Sequence, residues 1–307
     1  MKAAVVTGGA GFIGSHMCRH LLADGWRVAA LVRPGSLARL PAGVVPFEFT
    51  DDLGVLTEFL REFRPEIIFH LAAFYVTEHG PGDVDRLVRD NILFGAKVLE
   101  ALARVGGHRL FLNAGTSWQN SGFDRPNVAP ANLYAATKQA FEDLISYYAG
   151  GEDFSAVTLR LFDTYGENDK RPKLLNALVK ALKTGARMEL TPGEQEVDLV
   201  HVADVCRAFV QAYELLREGF GQGKELVYGL SSGRRLTVRG LVELLEKLTG
   251  RQLKAVWGGR PYRRREVMRL QTGYPALPGW RPVLELETGL LNVYRCYGEA
   301  GLDCASL

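Results

Sequence analysis

Two side chains with usable chemistry stand one helical turn apart in "NLYAATKQAFEDLISYY": the phenol of Tyr134 and the ammonium of Lys138. Residues i and i+4 share a helix face, so both heads can reach one spot. A phenol titrating near ~10 is a poor base at neutral pH, and a neighbouring cation favours its ionised form. Such a pair can pass a proton to or from a reacting oxygen. Taken alone the spacing is common on helix surfaces. Its meaning depends on what the rest of the chain brings beside it.

The stretch "VVTGGAGFIGSH" places Gly8, Gly11 and Gly14 three residues apart, after an apolar run and at the opening of a helical pattern that begins with Phe12 and Ile13. A strand, a glycine bend and a helix let a pyrophosphate approach backbone N–H groups at the helix N-terminus. Gly8 suits the sharp turn, Gly11 the close approach and Gly14 a close helix-to-sheet contact. A dinucleotide cofactor is expected here. The second strand ends in "ALVRPGSLARL", giving Arg33 with Ser36 and Arg39 close behind, and no carboxylate to bond a ribose 2′-hydroxyl. Arginine suits a 2′-phosphate, so NADP(H) is favoured over NAD(H). The plainer alternative is that Arg33 only caps a strand end.

The elements that must position these groups are legible as alternating runs. "AAVV" (3–6), "RVAALV" (27–32), "EIIFHLAA" (66–73), "RLFLNAG" (109–115) and "AVTLRLF" (156–162) read as buried strands, with helical segments between them. Ile13, Met17 and Leu21 recur every fourth residue and form one apolar stripe. The expected fold is α/β, a Rossmann-type doubly wound parallel sheet covered on both faces. Beyond about residue 166 proline and glycine become denser and the runs shorten. The expected division is a cofactor domain over residues 1–165, to which the chain returns near 195–210, and a smaller mixed substrate region over 166–307.

Charge and cysteine usage narrow the classes. A net charge of +2 gives no reason to expect nucleic acid or an acidic membrane as partner. No apolar run approaches the roughly 20 residues of a spanning helix, and "MKAAVVTGG" enters a strand directly, so no signal peptide is expected. Cys18, Cys206, Cys296 and Cys304 include no C-x-x-C pair, and their spacing suggests neither a zinc site nor a disulfide framework. A reduced, cytoplasmic setting is expected. "PYRRREV" is the one local basic patch.

The glycine turn, "HLAA" (70–73), Thr116 in "NAGTSW" and "YAATK" stand in one order along one expected sheet. Together they resemble the extended short-chain dehydrogenase/reductase family, in its nucleotide-sugar branch, over nearly the whole chain. "RLFDTYGENDKRPK" (160–173) and "VHVADV" (200–205) look like its later motifs. The resemblance implies an enzyme, bound NAD(P), a nucleotide-diphosphate sugar as substrate and a homodimer formed by two helices from each chain. It implies Tyr134 as proton donor or acceptor, and Lys138 as its neighbouring cation and partner of the nicotinamide ribose. Thr116 takes the hydroxyl that bonds the reacting oxygen, or Ser117 if the register slips by one. Leu71, Ala72 and Ala73 lie where the cofactor rests against a strand end, with Ala72 and Ala73 small for that reason, and His70 reads as a core residue. Asn91 matches a helix asparagine that is structural or relays protons, unless it is an N-cap. An aspartate for the adenine amino group falls at Asp51 or Asp52, either of which could instead cap a helix.

Several reactions share this scaffold. Ser117 and Trp118 follow Thr116 where 4,6-dehydratases of the family place an Asp-Glu pair, so dehydration is not expected. Trp118 also stands near where enzymes that epimerise and reduce place a cysteine. The remaining resemblance is to reductases of nucleotide-linked 4-keto-6-deoxyhexoses, with a nucleotide-sugar 4-epimerase as the alternative. A non-catalytic redox sensor on this fold is the reading from another class, and such proteins generally lose the Tyr and Lys kept here. Lys173 and Arg263, Arg264 or Arg265 are candidates for the substrate diphosphate, Arg263 and Arg265 foremost. Trp118 suits either a sugar face or a structural role.

Overall fold

The computed structural model describes residues 1–107, 109–120, 129–150, 153–271 and 273–297. In chain order the elements are β1 (Ala3–Thr7), α1 (Phe12–Ala23), β2 (Arg27–Val32), β3 (Val45–Glu48), α2 (Leu53–Phe63), β4 (Ile67–His70), α3 (Val84–Val88), α4 (Phe94–Val105), β5 (Arg109–Thr116), α5 (Leu133–Ala149) and β6 (Phe154–Leu161). There follow β7 (Asp163–Tyr165), α6 (Leu174–Thr184), β8 (Met188–Leu190), β9 (Glu196–His201), α7 (Val202–Arg217), β10 (Glu225–Leu230), β11 (Arg235–Thr237), α8 (Val238–Thr249), β12 (Ala255–Trp257) and α9 (Leu286–Cys296).

Seven strands form one sheet in the order β10-β6-β5-β4-β1-β2-β3, every pair parallel. The order reverses between β1 and β4, and ligands of such sheets gather outside the strand ends at that switch. β1, β4 and β6 are buried along their whole length, which is why they read as unbroken apolar runs. On one face Val5, Ile68, Phe111 and Ala156 pack with Leu56, Leu60, Leu99, Phe141 and Ile145 from α2, α4 and α5. On α1, Met17 and Leu21 are fully buried, as their spacing predicts.

The chain divides into two compact units. The first comprises Met1–Leu161, Cys206–Leu230 and Gly273–Trp280; the second comprises Phe162–Val205, Ser231–Thr272 and Arg281–Leu307. The boundary thus lies at 161/162, where 165/166 was expected, and the chain returns to the first unit at Cys206, within the expected 195–210, and again at Gly273. The segment 196–201 is β9, in a three-stranded sheet of order β11-β9-β7 in the second unit, and the seventh strand of the large sheet is β10. β10, with the sequence ELVYGL, is a partly buried strand at the edge of the sheet. The second unit has its own core, with Leu175, Leu178, Leu241, Leu245, Leu290 and Val293 around Tyr165.

Cys18 and Cys206 are buried free thiols. Cys296, at the end of α9, is disulfide-bonded, which corrects the expectation of no disulfide. Cys304 itself lies outside the described residues. No described helix is long and apolar enough to cross a membrane.

Candidate active site

The glycine turn closes on itself. Gly8 has φ +70, and a Cβ there would lie 2.8 Å from the Ala72 Cα. The Gly11 N–H donates to the Gly8 carbonyl at 2.8 Å. A Cβ on Gly14 would stand 2.1 Å from that same carbonyl oxygen, so Gly14 is needed for contact with the turn, not with the sheet as expected. Thr7 fastens the other side: its hydroxyl accepts from the backbone N–H of Leu71 and of Ala72, both at 3.1 Å, and pairs with His70 Nδ1 at 3.1 Å. Leu71–Ala73 therefore leave the strand expected over 66–73 and turn against Gly8. The N-cap of α1 is exposed Gly11, which has no capping side chain. The first-turn N–H groups at Ile13 and Gly14 face outward from the turn, where a helix N-terminus can take an anion.

At the end of β2, Arg33 is exposed and its guanidinium lies 3.3 Å from Asp90, which Arg86 also meets at 3.3 Å. Ser36 is buried and its hydroxyl accepts from Arg39 at 2.9 Å. Two guanidiniums and a hydroxyl thus flank this strand end, with the Asp90 carboxylate beside Arg33 and the Glu48 carboxylate accepting from the Gly35 N–H at 3.0 Å. Asp51 and Asp52 have different partners. Asp52 caps α2, accepting from the Val55 N–H at 3.1 Å. Asp51 has φ +74 and an exposed carboxylate 2.7 Å from Lys97.

Tyr134 sits in the first turn of α5, whose N-cap Asn132 accepts from the Ala135 N–H at 2.9 Å and donates to the Thr77 carbonyl at 2.9 Å. The Tyr134 ring meets Tyr75 edge-on, 5.0 Å between centroids, and Tyr75 tilts against Trp118 at 6.1 Å. Tyr75 was missed in the sequence because it lies in an irregular segment with no periodicity. Lys138 is 1% exposed, and its Nζ has no hydrogen-bond partner among the described residues. Burial pulls its pKa down to about 8, opposed by the Glu142 carboxylate one turn further on. His70 is a core residue, fully buried against Phe94, Phe111 and Phe141. Burial first, and the Lys138 charge second, hold its imidazole well below the usual range and so neutral.

Thr116 ends β5, the strand next to β4, and caps the short turn that follows: its hydroxyl accepts from the Trp118 N–H at 3.3 Å. That bond leaves the hydroxyl proton able to donate. Ser117 is buried, and its carbonyl accepts from the Tyr274 hydroxyl at 3.1 Å.

Of the sequence readings of Asn91, the structure matches the structural one and not the N-cap. The residue lies inside a π-helical turn, Arg89–Leu93, between α3 and α4, and is fully buried. Its amide accepts from the Phe74 N–H at 2.7 Å and donates to the Phe74 carbonyl and the Thr137 hydroxyl, both at 3.0 Å. An amide so enclosed ties the segment after β4 to α5 beside Lys138. In the second unit, Lys173 lies 3.2 Å from Asp163. The Arg263 fork is engaged by Glu266, with one bond at 2.9 Å, whereas Arg264 and Arg265 are exposed.

These residues fit a dinucleotide. A packed glycine turn opens on an uncapped helix end, and a buried ammonium lacks an acceptor that ribose hydroxyls can supply. Left alone, that cation would be a heavy cost.

The comparisons with known proteins agree with this geometry. The chain is 28% identical over 265 residues to CDP-abequose synthase of Yersinia pseudotuberculosis, covering 86% of this chain and 90% of that protein. Among solved structures, UDP-glucose 4-epimerase of Thermotoga maritima with UDP-glucose superposes with a TM-score of 0.82 at 25% identity, covering 96% of this chain and 98% of that one. UDP-glucose 4-epimerase of Thermus thermophilus with NAD gives 0.77 at 25% identity and the same coverage. Residues 4–226 match the model of one family, and the chain belongs to it: the NAD dependent epimerase/dehydratase family, within the extended short-chain dehydrogenases/reductases, as an oxidoreductase-type enzyme.

Proposed function

We propose that this enzyme reduces the C4 ketone of a nucleotide-linked 4-keto-6-deoxyhexose with NADPH. The observation that carries the choice of reaction is the guanidinium pair at the end of β2, Arg33 and Arg39 about the buried Ser36. It suits a 2′-phosphate and hence the cofactor of reductions. The absence of a carboxylate at Ser117 and Trp118 removes the acid and base that dehydration needs. The likeness to CDP-abequose synthase points the same way.

Gly8, Gly11 and the first turn of α1 hold the cofactor diphosphate, Leu71–Ala73 line its path, and Lys138 bonds the nicotinamide ribose. When bound, NADPH supplies a hydride to the substrate carbonyl. Thr116 donates a hydrogen bond to the oxygen as negative charge gathers on it. Tyr134 gives that oxygen its proton, and the Lys138 ammonium one turn away stabilises the phenolate left behind. Trp118 and Tyr75 offer aromatic faces to the sugar. Lys173 and Arg265 are the proposed donors to the substrate diphosphate; Arg263 has its fork committed to Glu266.

A second reading, a 4-epimerase, is favoured by the solved structures, which are UDP-glucose 4-epimerases. Incubation with NADPH and a panel of CDP-, dTDP- and GDP-linked 4-keto-6-deoxyhexoses separates the two, with Tyr134→Phe as the inactive control. The expected result is stoichiometric loss of reduced-nicotinamide absorbance with one of the panel. If no member of the panel consumes NADPH while UDP-glucose is interconverted with its 4-epimer, the epimerase reading replaces this one.

A further inference from the structure

Thr116 and Tyr134 stand on different elements, the end of β5 and the first turn of α5, so their relative placement needs a brace. Gln119 spans the gap. Its Oε1 accepts from the Thr116 N–H at 2.8 Å, while its Nε2 donates to Gln139 Oε1 at 3.0 Å and to Glu142 Oε2 at 2.9 Å. Both acceptors are on α5, at the residue after Lys138 and one turn beyond it. Arg160 on β6 grips the same two side chains, at 3.1 Å from Gln139 and 3.2 Å from Glu142, with a second bond to Glu142. The Arg160 guanidinium lies 5.3 Å from the centre of the Tyr274 ring, and the Tyr274 hydroxyl returns to the Ser117 carbonyl. The circuit is closed: from the Thr116 turn, through Gln119, α5 and Arg160, to Tyr274 and back.

Two further observations show that the circuit is built in. Gln119, Glu142 and Arg160 are all buried, at 0%, 5% and 8% exposure. A buried amide with both ends committed has a single orientation, and so has the backbone it grips. A Cβ on Gly115 would stand 2.8 Å from Gln119 Oε1 and 3.1 Å from Arg160 Cγ, so glycine at that position is what lets the amide and guanidinium approach the strand.

We propose that Gln119 is a positioning residue: anchored by the Glu142–Arg160 ion pair and closed off by Tyr274, it sets the Thr116 hydroxyl against the Tyr134–Lys138 end of α5. The inference rests on the role proposed above for Thr116. Gln119→Met keeps length and removes all three side-chain hydrogen bonds. Exchange of the Thr116 amide hydrogen should speed up by about 10-fold or more as its acceptor is lost, with the core of α5 unchanged. Turnover with NADPH and the panel sugar nucleotide should fall about 10- to 100-fold, as for a catalytic group misplaced by a fraction of an ångström. The NADPH dissociation constant, from fluorescence titration, should stay within about 2-fold, and in a Thr116→Val background the substitution should add less than about 2-fold to the loss in kcat. If Gln119→Met does not fold, Tyr274→Phe, which keeps the ring on Arg160, carries the same measurements with a smaller expected loss. Unchanged kcat, parallel loss of NADPH affinity, or an undiminished effect on top of Thr116→Val overturns the inference. Thr116→Val with full kcat instead overturns the role given to Thr116, so the two failures are distinguishable.

Discussion

Lys138 shows how a buried side chain with a proposed catalytic role can weigh against the fold that carries it. Folded, it loses its proton near pH 8; unfolded, near 10.5. Below about pH 8 both states are protonated, and the folded state bears the whole penalty of a buried ammonium. At ~1.4 kcal/mol per pH unit this is roughly 3 kcal/mol. Between 8 and 10.5 the unfolded chain binds more protons, so stability from this group rises with pH, and above 10.5 the penalty is gone. Lys138→Met should therefore raise the stability of the cofactor-free protein at pH 7 by roughly 1–3 kcal/mol, or several degrees in Tm. The gain should shrink toward pH 10, and turnover should be abolished. Thermal melts of both proteins at pH 7 and pH 10 test this. A lower Tm for the variant at pH 7 would show that the ammonium is held by protein acceptors instead of awaiting a ligand.

At the scale of elements, the strand ends place the specificity groups, and β2 carries the sharpest consequence. If Arg33 bonds a 2′-phosphate, Arg33→Ala should raise the KM for NADPH by about 10- to 100-fold, the ~1.5–3 kcal/mol of a charged hydrogen bond. The KM for NADH should move by less than about 3-fold, since no phosphate stands there. Equal weakening of both cofactors would mean that Arg33 serves only its pair with Asp90. This arginine was legible in the sequence, and so were β1, β2, β4, β5 and β6, because strands covered on both faces are written as continuous apolar runs. The edges were not. β3 is the four residues VPFE, exposed at Val45 and carrying Pro46, and so resembles a loop in composition; β10, ELVYGL, is apolar but lies beyond the regular alternation of strand and helix that marked the others. The same limit applied to the site. Tyr134, Lys138 and Thr116 could be proposed because fixed spacing on a helix and position at a strand end are written in one dimension. Gln119, Glu142 and Arg160 are polar residues scattered over some forty positions, individually indistinguishable from surface side chains. Only packing reveals that they face each other. Asn91 is an intermediate case, marked by its type as structural, while the π turn that holds it leaves no signature in periodicity.

For the molecule as a whole, the outer helices of the first unit leave apolar side chains uncovered. Val84 and Val88 on α3 are 39% and 44% exposed, Leu93 in the π turn 45%, and Tyr147 on α5 78%. Scattered apolar residues on a surface mean little. Here, however, they occupy the helices on one side of the sheet, α3 to α5, where the family resemblance implies a homodimer built from two helices of each chain. A two-fold interface presents the same patch from both copies, so each exposed side chain gains cover twice. A second copy of this chain is therefore the proposed occupant. Light scattering across a range of concentrations should give twice the 33.9 kDa chain mass. Leu93→Glu combined with Tyr147→Glu places two carboxylates from each copy in the interface, where desolvation and like-charge repulsion oppose association. The variant should run as a monomer at concentrations where the parent is dimeric, and it should still bind NADPH, because neither residue belongs to the glycine turn or the Lys138 end of α5. A parent protein that scatters as a single chain at high concentration would remove the dimer, and a variant that stays dimeric would move the interface to another face.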